Sequence, residues 1–191
     1  MKPILFYTEM VRAILDGSKT QTRRLVKNIP LHEPYFEVVD GTPYACDGDG
    51  EWHQAVEFSP IQEGDVLYVR ETWQRLSDFG QVRYEYRADH WDDDLVDGMY
   101  ITWRPSIHMP KEAARLFLRV TGVRCERLQD MTPEDCANDG GFEPYAVKTV
   151  GVAPLFGELW NRTIDKDSMF RYGWNANPWV WVIEFERCEK P

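Results

Sequence analysis

A chain of 191 residues with 22 Lys+Arg against 32 Asp+Glu has a formal charge of -10. A surface of that sign repels a polyanion at long range, which excludes a broad nucleic-acid groove and leaves a small basic footprint or a nucleoside-sized ligand. A hydrophobic fraction of 43% with eight Trp excludes a disordered acidic tail, and apolar runs of at most about six residues exclude a membrane-spanning helix.

In chain order, residues 3–7 ("PILFY") predict a short strand. Thr8 then offers a helix cap, and Met10, Val11, Ile14 and Leu15 recur at helical spacing up to Gly17, a typical stop. "TQTRRLV" suits a strand, because Thr and Val favour extended backbone. Residues 28–63, rich in Pro, Gly, Asp and aromatics, predict a long excursion from the core. "EGDVLYVRETW" (63–73) is a turn and a strand, "VRYEYRAD" a further strand, and "DHWDDDLVDG" a solvated acidic loop.

Residues 114–128 alternate through Leu116, Leu118 and Val120, slip phase at Gly122 and resume at Val123 and Cys125, so a long strand with a glycine bulge is expected. Thr132 then caps a helix, with Pro133 in its first position, Asp135 at capping-box spacing and Gly140–Gly141 ending it. "PLFGELWNRTI" predicts a second short helix. In the last strand Trp179, Trp181, Ile183 and Phe185 alternate with Val180, Val182, Glu184 and Glu186, the pattern of a half-buried strand. Strands outnumber helices without alternating strictly with them. An α+β fold follows, a mixed β-barrel with a few outer helices in one domain over residues 1–191.

The chemistry concentrates in "DGSKTQTRRLVK" (16–27), where Lys19, Arg23, Arg24 and Lys27 stand with no acid among them. The run reads either as a solvated edge strand whose cations discourage aggregation or as the floor of a pocket. "TWRPSIHMP" (102–110) is the second candidate: a loop fixed by Pro105 and Pro110 carries Trp103, Arg104, Ser106 and His108, residues able to stack a base or bond its edge. Trp73 is a similar candidate. Cys46, Cys125, Cys136 and Cys188, spaced 79, 11 and 52 residues apart, fit neither a disulfide framework nor metal ligands. His32, His53 and His90 have no ligand-like spacing, so neither a metal nor another cofactor is expected. With no signal-peptide pattern at the start, a reduced, cytoplasmic setting is expected.

"DGSKTQTRR", "GDVLYVRETW", "WRPSIHMP", "ERLQDMTPEDCANDGGF" and "NPWVWVIEFER" together resemble an ASCH-domain protein, most of all the group found in bacteriophages and prophages. The similarity spans residues 1–187. It implies a PUA-like β-barrel related to RNA-binding modules, with a cleft between barrel and helices. It also implies kinship with a small bacterial amidohydrolase that removes the acetyl group of 4-acetylcytidine. Carried over by motif, the family's proton acceptor falls on Lys19 and its nucleophile on Thr22. Its acid partner, a glutamate, falls on Asp139 by position in the helix after the long strand, or on Glu71 after the central strand. Arg23, Arg24, Trp73, Trp103, Arg104, Ser106 and His108 would contact a nucleoside or a single-stranded RNA base. The competing expectation is a non-catalytic RNA-binding module.

The cooperation of Lys19 and Thr22 carries two conditions. In a regular strand the two would point to opposite faces, so Lys19 must belong to the bend leaving the helix. An ordinary lysine is also less than about 0.1% neutral at pH 7, and bringing it there takes about 4–5 kcal/mol of bias against the ammonium. Burial, the like charges of Arg23 and Arg24, and an acid-free neighbourhood would all act in that direction.

Overall fold

The computed structural model describes residues 1–27, 36–47, 49–78, 81–90, 95–96 and 98–191. Its elements are β1 (Lys2–Leu5), α1 (Thr8–Asp16), β2 (Gln21–Leu25), β3 (Phe36–Val39), β4 (Thr42–Cys46), β5 (Trp52–Gln54), β6 (Val66–Arg70), β7 (Trp73–Asp78) and β8 (Gln81–Tyr86). They continue with β9 (Leu95–Val96), β10 (Met99–Tyr100), β11 (Phe117–Arg127), α2 (Pro133–Gly140), α3 (Pro144–Val150), α4 (Glu158–Arg162), α5 (Met169–Tyr172) and β12 (Trp179–Cys188). His32 and residues 91–94 of the acidic stretch lie outside the described residues.

The main sheet runs β1-β6-β11-β12-β2. β1 and β6 are parallel and the other pairs antiparallel, so the sheet is mixed. β1 and β2 are its two edges and do not pair, so the ladder among the described residues is open where a closed barrel was expected. A side chain spans part of that gap: Arg24 Nη2 donates to the Leu5 carbonyl at 2.9 Å. β11 slips register between Val120 and Gly122, as the phase break predicts.

β12 departs from the half-buried reading. Trp181, Ile183 and Phe185 enter a core with Ile4, Phe6, Val11 and Ile14. Val180 and Val182, expected to face out, are fully buried in a second core with Cys136 of α2, Val147 of α3 and Trp160 of α4. Each such valine contributes about 1.5–3 kcal/mol of burial, and the helices packed on that face account for it. Of these helices, α3 was not read from the sequence. The excursion also needs correcting. Its described part carries the three-stranded sheet β3-β4-β5, and it returns to the core through Ala45 and Ala55, both fully buried. Phe36 stacks on Trp179 with ring centroids 4.8 Å apart.

Candidate functional site

Three local signals build the site. The helix α1 ends at Gly17 in the left-handed region (φ 85°). The chain then bends, with the Lys19 N–H donating to the Ala13 carbonyl at 2.9 Å, before β2 begins at Gln21. Lys19 therefore belongs to the bend, the condition its cooperation with Thr22 requires. Second, α2 opens on the reciprocal Thr132–Asp135 capping box and closes on Gly141 at φ 66°. A Cβ on Gly141 would stand 2.9 Å from that of Ala13, so glycine lets the end of α2 approach α1. That approach delivers Asp139 to Lys19.

Third, β2 is an edge strand, and its register on β12 sorts its side chains. Thr22 and Arg24 lie opposite Ile183 and Trp181 and share their face, whereas Arg23 lies opposite Val182 on the other. Lys19 Nζ and the Arg24 guanidinium carbon accordingly sit 5.7 and 5.1 Å from the centroid of the same ring, Phe6. Arg23 instead meets Phe156 at 6.0 Å.

A cavity of about 430 Å³ straddles this edge. Its polar lining is Thr22, Arg23, Arg24, Lys27, Ser106, Asp139 and Thr163. Phe6, Tyr7 and Met10 form one apolar wall, and Phe156, Leu159, Trp160 and Ile164 form the other. The second wall is one face of α4 together with the widened turn Ala153–Gly157 before it. Gly157 leaves room there for the Trp174 ring, which an added Cβ would meet at 2.9 Å. Sequence reasoning placed a helix at "PLFGELWNRTI" but assigned its face to no site. The 3,1,4 spacing of Phe156, Leu159, Trp160 and Ile164 was the available signal.

The polar groups form a connected set. Lys19 Nζ donates to Asp139 Oδ1 at 2.6 Å and also to the Asp139 carbonyl. Arg23 Nη1 reaches Asp139 Oδ2 at 3.1 Å, while its Nη2 bonds Glu126 Oε1 at 2.6 Å. Glu126 in turn accepts from Arg124, which also bonds Asp135 and Glu184. Both the Lys19 and Arg23 side chains are wholly buried. Arg24 Nη1 donates to Thr22 Oγ1 at 2.7 Å.

The acid-free neighbourhood does not survive folding, because a helix 120 residues away supplies the carboxylate. Burial nevertheless pushes the Lys19 ammonium below its ordinary value, with Asp139 opposing and Arg24 and Arg23 assisting.

The other candidates lie elsewhere. Glu71, 1% exposed, is held in a bidentate pair by Arg115 at 2.9 and 3.0 Å and does not line the cavity. Burial raises its pKa, against the pull of Arg115. Trp73 is packed into a satellite core with Met109, Ala113, Ala114 and Phe117, and its indole Nε1 has no hydrogen-bond partner. Trp103 lies against His90, with centroids 5.5 Å apart. Arg104 is exposed and its guanidinium carbon stands 5.6 Å from the Trp73 ring, and His108 is also exposed. Ser106 alone of the 102–110 stretch reaches the cavity. Among the described residues, no group of three or more His, Cys, Asp or Glu could hold a metal, and no helix is long and apolar enough to cross a membrane.

No protein-family model matches the chain, and no curated protein matches it. A solved structure of an ASCH domain from Lactobacillus crispatus JV V101 is similar over 97% of this chain and 79% of its own, at 10% identity and a TM-score of 0.40.

Proposed function

We propose that the chain is an ASCH-type protein whose cleft binds a pyrimidine nucleoside and hydrolyses an N-acyl group from its exocyclic amine. The observation that carries this reading is a wholly buried lysine amine paired at 2.6 Å with Asp139, which lines the same cavity as a threonine hydroxyl that accepts from Arg24 at 2.7 Å. Aromatic walls and a volume of about 430 Å³ suit one planar base with its sugar.

Thr22 is the nucleophile in this reading and Lys19 its base. As an ammonium Lys19 cannot accept a proton, and Asp139 is placed to take one from it in a desolvated pair whose charged form burial disfavours. The neutral amine then takes the Thr22 proton as Oγ1 adds to the acyl carbon. Arg24 faces the oxyanion that develops there. Collapse expels the nucleoside amine, which receives the proton back from Lys19. Water then hydrolyses the acyl-threonine, so that amide and water become amine and carboxylate.

Incubation with 4-acetylcytidine, followed by chromatography for cytidine, tests the reading. Thr22→Val should lower turnover by about a thousandfold or more, while Thr22→Ser, which keeps a hydroxyl, retains measurable activity. Absence of turnover in the native chain, or equal turnover in Thr22→Val, overturns it. The non-catalytic alternative would then be recognised by RNA affinity falling with salt at a slope of about -0.7 per neutralised phosphate.

A further inference from the structure

The cavity holds more positive charge than the protein itself neutralises. Asp139 is shared between Lys19 and Arg23, and Glu126 takes the other side of Arg23. Two cations remain. Arg24 spends its donors on three neutral oxygens, Thr22 Oγ1, the Arg23 carbonyl and the Leu5 carbonyl, and among the described residues it forms no ion pair, Asp139 acting on it only at longer range. Lys27 lines the same cavity, rests its ammonium 5.5 Å from the Tyr172 ring and forms no ion pair among the described residues. In a chain with 32 acidic residues, two lining cations with no ion-pair partner among the described residues are a local departure from the general charge balance.

Arg24 and Lys27 also differ in depth. Arg24 is half-buried and bonded to Thr22 at the floor, whereas Lys27 is exposed at the rim. Lys27 lies two residues past the end of β2, on the Tyr172 side of the cavity, while Arg24 lies on the Phe6 side, so the two cations flank the cleft from different walls. A neutral nucleoside would leave Lys27 idle.

We propose that the cleft is built for a phosphorylated pyrimidine nucleotide, with its base edge at Thr22 and Arg24 and its phosphate at Lys27. This rests on the reading of the cleft as a nucleoside site but not on hydrolysis taking place there. The phosphate could belong to a mononucleotide or to an RNA strand. The shared chemistry is a charge-assisted contact to a phosphate oxygen, worth more than a neutral one.

Calorimetric titration of the full chain with cytidine, cytidine 5'-monophosphate and the dinucleotide CpC tests it. The monophosphate should bind about tenfold or more tighter than cytidine. That ratio should collapse towards one in Lys27→Gln, survive in Lys27→Arg, and be untouched in Lys148→Gln on α3, away from the cavity. A monophosphate preferred to CpC assigns the site to free nucleotides; the reverse assigns it to RNA. Equal affinity for cytidine and its monophosphate, or a ratio insensitive to Lys27→Gln, overturns the proposal. Parallel chromatography with 4-acetylcytidine keeps the two ideas separable. Turnover without phosphate preference sinks only this one, and phosphate preference without turnover sinks only the hydrolase.

Discussion

Among the described residues Asp139 and Glu71 are the two buried carboxylates, and both pair with cations, yet one stands beside a cavity lined by further cations and the other does not. Around Glu71 there are two acids for one guanidinium, since Arg115 also bonds Asp89 at 2.6 Å, and Arg115 is itself partly exposed and lies 3.9 Å from the Tyr86 ring centroid. Around Asp139, Lys19 and Arg23 meet three acids, since Arg23 also pairs with Glu126 and Asp135, but Arg24 and Lys27 line the adjoining cavity with no ion pair among the described residues. The first arrangement closes on itself and clamps the satellite core. The second stands beside Arg24 and Lys27, which form no ion pair among the described residues.

The sharpest way to break this contrast is to remove each carboxylate. Asp139→Ala strands the wholly buried Lys19 ammonium and leaves Arg23 only Glu126 and Asp135, which should cost about 3–5 kcal/mol, and for a chain of 191 residues lower Tm by about 10 °C. Glu71→Ala leaves Arg115 with Asp89 and water as partners, so roughly half that loss is expected. Urea denaturation of both variants ranks them. Should Glu71→Ala prove as costly as Asp139→Ala, the distinction between a closed clamp and an open, cation-rich site fails.

A smaller effect separates the two regions by pH. Burial would raise the Asp135 carboxyl, but hydrogen bonds from Gln21 and Thr132 and the Arg23 charge outweigh it and hold it at about 2. Its folded value is therefore depressed. The group contributes about 2 kcal/mol above the ordinary carboxylate range, and this is lost as pH falls towards 2. Glu71 is raised above 4.5, chiefly by desolvation, so the sign reverses. Its contribution is full below 4.5 and is lost as pH rises through the folded value. In urea midpoints measured from pH 2 to 7, Asp135→Asn should flatten the acid limb, and Glu71→Gln should remove a decline above pH 4.5. A native profile without an acid limb would contradict the network joining Asp135 to Arg23.

Local signals were legible in the sequence where one residue decides. The Gly122 slip, the Thr132–Asp135 box and the stop at Gly17 all stand in the structure as read. Signals that depend on distant packing were not. Val180 and Val182 alternate like a solvent face because nothing in β12 itself announces the helices covering them. The basic run looked acid-free because its acid arrives from residue 139. Of Lys19, Thr22, Asp139 and Glu71, named as one set, Thr22 and Asp139 line one cavity and Lys19 pairs with Asp139, whereas Glu71 lies elsewhere. The wall formed by α4 was missed because its apolar face reads equally well as core.

The mildest perturbation tests the loop that the sequence offered as a wall. Trp103 contacts His90 and the Arg87 guanidinium, with ring centroids 5.5 Å apart and the guanidinium carbon 5.8 Å from the indole, and it does not line the cavity. Trp160 does line it, and its indole Nε1 is fixed by the Tyr172 carbonyl at 2.8 Å. Trp160→Phe keeps an apolar wall but loses that bond and part of the stacking surface, so cytidine should bind several-fold less tightly, within the range of about 1–3 kcal/mol per stacked base. Trp103→Ala should leave the same affinity within about twofold, under about 0.5 kcal/mol. If instead Trp103→Ala weakens binding and Trp160→Phe does not, the ligand lies against the 102–110 loop. The unbalanced cations would then face a cavity it does not use.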